Sequence, residues 1–154
     1  ATVMSNEGLG EYLASQDLVL HRSAVGDKNV VEMMQKEGIN FGGEQSGHVV
    51  FSDYAKTGDG LASALQALAY LVGTGKKASE VFNPYESYPQ LLVNLIISEK
   101  RSFDEIEGLN DLKEKVEAQN MRHLFRYSGT ENKIRLLLEG KDKKALDSMM
   151  NECK

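Results

Sequence analysis

The sequence predicts an α/β domain, a mixed sheet with flanking helices, followed by a small α+β domain with an antiparallel sheet and helices on one face. Three observations carry this expectation. Residues 1–83 alternate short apolar runs with amphipathic stretches, as helices laid against a sheet do. Both prolines, Pro84 and Pro89, then fall in one short break. A residue before proline avoids helical φ/ψ, so the domain boundary is placed there. Residues 84–154 run in the order β-α-β-β-α, which suits helices packed on one side of an antiparallel sheet.

Each element has a local reason. Thr2-Val3-Met4 reads as a short strand, and Ser5-Asn6 offer a cap for a helix through about Ala14. Leu18-Val19-Leu20 reads as a second strand. Asp27 is the expected cap of a helix carrying Val30, Val31, Met33 and Met34, stopped at Gly38 where positive φ is favoured. Ile39-Asn40-Phe41 and Val49-Val50-Phe51 read as strands flanking a turn at 44–48. From Asp59, Leu61, Leu65, Leu68 and Val72 recur at helical spacing. Gly73-Thr74-Gly75-Lys76 superficially suggests a nucleotide phosphate loop, but it lacks the first glycine and follows a helix, so it reads as a helix terminator. In the second half, 91–97 is β-branched and strand-like, a helix covers about 109–118, and strands at 121–126 and 134–138 flank a loop. A last helix places Leu146, Met149, Met150 and Cys153 on one face.

Composition narrows the function. A formal net charge of −5, with no basic stripe or interleaved aromatics, argues against nucleic acid as a partner. No apolar run is long enough to cross a bilayer, and the N-terminus lacks a signal-peptide pattern. The single cysteine, Cys153, cannot form an internal disulfide and fits a reducing compartment. A cytoplasmic protein is expected.

Two loops concentrate the chemistry. Gly43-Glu44-Gln45-Ser46-Gly47-His48 gathers a carboxylate, an amide, a hydroxyl and an imidazole between glycines, which suits sugar hydroxyls. Glu44 can accept from two neighbouring ring hydroxyls, Ser46 can donate or accept beside it, and His48 can bond a hydroxyl or relay a proton. The blander reading of His48 is a satisfied imidazole at a strand start. Arg126-Tyr127-Ser128-Gly129-Thr130-Glu131, with Arg135 beyond, suits a phosphate. Paired guanidinium N–H groups match two phosphate oxygens. Ser128 and Thr130 add hydroxyl donors, and Gly129 lets backbone N–H groups turn toward the anion. Glu131 is expected to orient Arg126 or Arg135 through an ion pair. The competing reading is an ordinary hairpin turn with surface arginines. Lys28, near a helix start, is a possible further anion contact. No metal site is expected: Glu44, His48, His21, His123 and Cys153 make no ligand spacing.

Together with Thr2-Val3-Met4-Ser5-Asn6, Val25-Gly26-Asp27 and Thr57-Gly58-Asp59-Gly60-Leu61, these loops resemble those of the α-D-phosphohexomutases, most closely the phosphoglucosamine mutases. Gln45 points to that branch; the phosphomannomutase/phosphoglucomutase branch typically has methionine there. The resemblance spans most of the chain and corresponds to the third and fourth domains of a four-domain enzyme. It implies that Glu44, Gln45, Ser46 and His48 grip the sugar while Arg126, Ser128, Gly129, Thr130 and Arg135 grip the phosphate. It further implies that the parent interconverts glucosamine 6-phosphate and glucosamine 1-phosphate through a phosphoserine and a hexosamine 1,6-bisphosphate, towards UDP-N-acetylglucosamine and cell-wall precursors.

Two features of the family are missing from this sequence. Its phosphoserine loop, Ser-His-Asn-Pro, does not occur, and neither does its metal loop, Asp-Gly-Asp-x-Asp-Arg. Mg²⁺ is therefore expected outside this chain, on upstream catalytic domains of the same protein, with no catalytic residue here and no activity from the chain alone. Asn132 stands where the family often has proline, which leaves this loop looser before ligand arrives. Two alternatives stay open: a mutase acting on mannose or glucose phosphate, and a stand-alone phosphosugar-binding module. The start at Ala1, directly before a strand, favours a piece of a longer protein.

Overall fold

The computed structural model describes residues 1–153 as two compact units, one over Ala1–Ser87 and the other beginning at Tyr88. The first is the α/β unit and the second the α+β unit. In the first, α1 (Glu7–Ala14) starts where Asn6 accepts a hydrogen bond from Gly8 N at 3.0 Å, as the sequence led us to expect. Gly8 is required by packing, because a Cβ there would sit 2.4 Å from the Glu86 carbonyl oxygen. Helix α2 (Asp27–Glu37) is entered through Gly26, whose φ of 122° is open to glycine alone; Asp27 is thus the first helical residue, and not the cap. It buries Val30 and Met34 and ends at Gly38 with φ 67°.

Strands β1 (Phe41–Gly43) and β2 (Val49–Phe51) form an antiparallel hairpin, with Gly42 opposite Val50. Val50 packs with Val30 and Met34 to make the small core of this unit. Gly42 lies so close to α2 that a Cβ would meet Met34 Sδ at 2.6 Å. Further sheet pairing is limited to a parallel bridge between Thr2 and Ser23. The strand expected at Leu18–Leu20 does not form. Leu18 N closes a turn onto Leu13 O after Asp17 at φ 58°, and Val19 is 77% exposed. A strand exists only where a neighbouring edge takes its hydrogen bonds, which an apolar run alone does not supply.

Helix α3 (Gly60–Thr74) is capped by Asp59, whose Oδ1 accepts from Ala62 N at 2.9 Å. Gly75, at φ 64°, stops it. The predicted apolar stripe is present, yet Leu61, Leu65, Leu68 and Val72 are all exposed. A short helix, α4 (Ala78–Val81), follows.

The second unit holds β3 (Gln90–Ile96), a 3-10 turn (Phe103–Glu105), α5 (Leu109–Ala118), β4 (Arg122–Tyr127), β5 (Lys133–Glu139) and α6 (Lys143–Glu152). Its sheet has the order β3-β5-β4 and is antiparallel throughout. Side chains alternate across it. Ile134, Leu136 and Leu138 of the central strand face the helices and form the core with Val116, Leu146, Met149 and Met150. The register then places Arg135, Leu137 and Glu139 on the opposite face.

Candidate functional site

The loop joining β4 to β5 is built on a like-charge pair. Arg126 and Arg135 are directly opposite one another in the ladder, so their side chains leave the same face of the sheet. Asn94 of β3 extends that row on the far side of Arg135. Like charges in such a position destabilise a sheet. Neither guanidinium has a carboxylate within ion-pair distance among the described residues, and Arg135 Nε is buried without a hydrogen-bond partner. By contrast, Arg122 of β4 pairs with the buried Glu139 at 3.3 Å.

Ser128 continues the pattern. It is 2% exposed and its Oγ is buried without a partner, which costs on the order of 1–3 kcal/mol when nothing else binds there. Its backbone is held, with Ser128 N donating to Lys133 O at 2.8 Å. Gly129 and Thr130 are exposed at the tip. Gly129 does not have positive φ, and a Cβ there would meet nothing within 4 Å. The fold therefore does not demand glycine at this point. Glu131 does not orient an arginine: it binds Lys133 at 2.7 Å. That hydrogen bond and charge, with a smaller contribution from Arg135, hold its carboxyl below the usual range. Glu131 and Lys133 stand two residues apart, at the end of the loop and the first position of β5.

The hairpin of the first unit brings Glu44, Ser46 and His48 together. Ser46 Oγ lies 3.1 Å from His48 Nδ1, and Glu44 Oε2 lies 3.9 Å from the same nitrogen. Gly47, at φ 98°, closes the turn, with Gly47 N donating to Glu44 O at 3.0 Å. Glu44 also reaches back to α2, where its Oε1 accepts from Gly26 N at 2.8 Å. A carboxylate at a helix N-terminus is well placed electrostatically. With its side chain 11% exposed, Glu44 has one oxygen committed to the backbone and the other turned toward His48. Gln45 is exposed in the turn. Lys28 is also exposed, 3.6 Å from Glu32.

Two other features bear on ligands. The Thr57–Gly60 segment does not fit a divalent cation, because its only carboxylate, Asp59, is committed to capping α3. Among the described residues no group of three or more His, Cys, Asp or Glu side chains could hold a metal ion. The concavity of about 580 Å³ in the second unit is lined by Leu95, Ile97, Leu112, Tyr127, Ile134 and Cys153 among others. It opens on the helix-bearing face and includes none of Arg126, Ser128 or Arg135.

Sequence comparison places both units. The model of phosphoglucomutase/phosphomannomutase alpha/beta/alpha domain III matches residues 1–88, and that of the family's C-terminal domain matches residues 92–153. The chain belongs to the phosphoglucomutase/phosphomannomutase family. A phosphoglucosamine mutase of Sulfurovum sp. (strain NBC37-1) is 74% identical to this family member over 153 residues, 99% of the chain and 34% of the relative. The phosphoglucosamine mutase of Wolinella succinogenes is 58% identical over 153 residues, with the same coverage. The chain thus spans about a third of the length of these curated relatives. Among solved structures, an Aspergillus fumigatus N-acetylphosphoglucosamine mutase superposes with a TM-score of 0.82 at 18% identity, covering 99% of this chain and 36% of that one. Another structure of that fungal enzyme, in complex with GlcNAc-6P and magnesium, gives 0.73 at 19% identity, covering 98% and 39%. At such identities the likeness is one of fold. Among the described residues no helix is long and apolar enough to cross a membrane.

Proposed function

We propose that this chain is the substrate-gripping part of a phosphoglucosamine mutase, holding a phosphosugar while the phosphoryl transfer is carried out by residues outside it. The observation that carries this reading is the pair Arg126 and Arg135, adjacent in the ladder and without a carboxylate partner among the described residues, beside the buried, unpartnered Arg135 Nε and Ser128 hydroxyl. A phosphate dianion would relieve the repulsion and satisfy the orphaned donors together. Thr130 adds a hydroxyl at the tip, and Gly129 leaves room for the oxygens to approach the backbone. In the first unit, Glu44, Gln45, Ser46 and His48 would receive ring hydroxyls, with Lys28 a further contact to an anionic group. Identity to relatives named phosphoglucosamine mutase supports glucosamine phosphates as the substrate class.

Phosphoryl transfer depends on positioning and charge neutralisation. In this reading the phosphoserine and Mg²⁺ belong to upstream domains of the same cytoplasmic protein, and the chain alone is inactive. It holds the non-reacting phosphate of a hexosamine 1,6-bisphosphate, which turns end for end between transfers. The product would feed amino-sugar and cell-wall precursors. The exposed apolar stripe of α3 and the coverage of a third of each relative support docking of those further domains on this chain.

Titrating the chain with inorganic phosphate and with glucosamine 6-phosphate, followed by amide NMR, tests the reading. Both ligands should shift residues 126–135, and only the sugar phosphate should shift residues 44–48. Silence of 126–135 toward both would refute it, and preference for mannose 6-phosphate would move it to the other branch. A coupled assay with Mg²⁺ and bisphosphate activator should show no turnover; turnover that survives repurification would place catalysis within the chain.

A further inference from the structure

We infer that Lys100, which lies outside both motifs, is a further anion-holding residue of the β4–β5 loop. It fixes the Ser128 carbonyl with one N–H and adds a third unpaired cation to Arg126 and Arg135. This rests on the reading of that loop as a phosphate site.

The segment leaving β3 is strapped along the loop. Ile97 N donates to Asn132 O at 3.0 Å at one end, and Lys100 Nζ donates to Ser128 O at 2.6 Å at the other, across 28 residues of sequence. Beyond Lys100, Phe103 stacks on Tyr127 with ring centroids 4.7 Å apart and planes 10° from parallel, so the strap is anchored again beside Ser128. These contacts put the ammonium at the shoulder of the loop, next to the residue whose hydroxyl is buried and unpartnered.

The charges around it are divided in a way that leaves Lys100 free. Glu99, its sequence neighbour, is engaged by Arg101, and Glu131, in the loop, is engaged by Lys133. Both nearby carboxylates are therefore committed to other cations. Lys100 has no carboxylate partner among the described residues, although its bond to Ser128 O is partly buried. An ammonium has three donors and the carbonyl uses one. The remaining two are rotatable, and a point charge imposes no planar geometry, unlike a guanidinium. Lys100 can thus serve phosphate oxygens arriving in more than one orientation, which an intermediate presenting either end to the same loop would require. A cation that served only to hold the Ser128 carbonyl would need no unneutralised charge, since a neutral amide could donate the same bond.

The full 154-residue chain and inorganic phosphate at low ionic strength provide the test, with calorimetric affinities for Lys100→Met, Lys100→Gln, Lys100→Arg and Arg126→Ala. Lys100→Met should weaken binding on the order of tenfold or more, the scale of one charge-assisted hydrogen bond. Lys100→Gln, which keeps a donor but no charge, should weaken it similarly, and Lys100→Arg should stay within about threefold of the parent, as expected when charge is retained. The salt dependence of affinity should flatten in the Met and Gln variants. Wild-type affinity in Lys100→Gln would reduce Lys100 to a clamp on the carbonyl, and wild-type affinity in Lys100→Met would remove it from the site; either overturns the inference. If Arg126→Ala weakens binding while the Lys100 variants do not, only this inference falls. If Arg126→Ala is also without effect, or the parent does not bind phosphate, the phosphate-loop reading falls with it.

Discussion

Arg135→Met keeps an unbranched stem on β5 but removes the guanidinium that faces Arg126 across the ladder. Two local penalties disappear with it. A like-charge pair directly opposite in a sheet costs roughly 0.2–1 kcal/mol. A buried donor without a partner, here Arg135 Nε, costs about 1–3 kcal/mol. Some of this is returned through lost dispersion contacts of the guanidinium, so a net gain of about 1 kcal/mol is expected without ligand, within the scale of single substitutions. The order should reverse with phosphate present. At a concentration about 100 times its Kd, phosphate stabilises the parent by about 2.7 kcal/mol, and it should add little to the variant. Amide exchange at Leu136 and Leu138 reads this in the second unit alone, because both lie on the buried face of the central strand. Raising salt without phosphate should shrink the difference between parent and variant. A variant that is less stable than the parent without phosphate, and gains as much from phosphate, would refute the view that the arginines are held apart from the interests of the fold.

The remaining predictions concern single positions. Gly129→Ala should leave unfolding free energy within about 0.5 kcal/mol of the parent, as for a surface change, because the new Cβ meets nothing; phosphate affinity should nonetheless fall, measured by calorimetry. Gly42→Ala should destabilise the first unit by roughly 1–3 kcal/mol through overpacking against Met34 and Val30, with amide protection of the β3-β5-β4 sheet unchanged if the units are separable. Trypsin should cut first at Lys76 or Lys77, just past the end of α3, and leave the second unit folded; early cuts within 109–138 would contradict this. Burial, and then the nearby Glu152, push the Cys153 thiol up, so alkylation near neutral pH should be slower than for a free cysteine. Because the thiol pKa is raised in the folded state, the stability linked to it is fully present below the unfolded-state value and should be lost as pH rises from there through the higher folded-state value, seen as a falling denaturation midpoint in alkali that Cys153→Ser removes.

Both loops were legible because their positions depend on local chemistry. β-branched and apolar residues on each side define hairpins, and the residues between them are few in kind and suited to one ligand class. The same holds for Gly38, where the sequence itself requires a left-handed backbone. What failed was nonlocal. Leu18–Leu20 has strand composition but no edge to pair with, and Glu131 binds Lys133, two residues on at the start of β5, instead of Arg126 or Arg135. The stripe on α3 shows a third limit: periodicity says which face of a helix is apolar, not whether anything in the chain covers it.

The sequence by itself determined most of the helices, the strands on either side of the two loops, and which side chains stand in each loop, since these follow from backbone preference and side-chain periodicity over a few residues. Only the tertiary structure decided which charges are spent and which are free. Antiparallel register set Arg126 against Arg135, and Arg122 against Glu139. The strap after β3 carried Lys100 to Ser128 from 28 residues away, and α2 drew Glu44 onto Gly26. Pairing between ions depends on distances of a few ångströms in space, and separation along the chain does not report them.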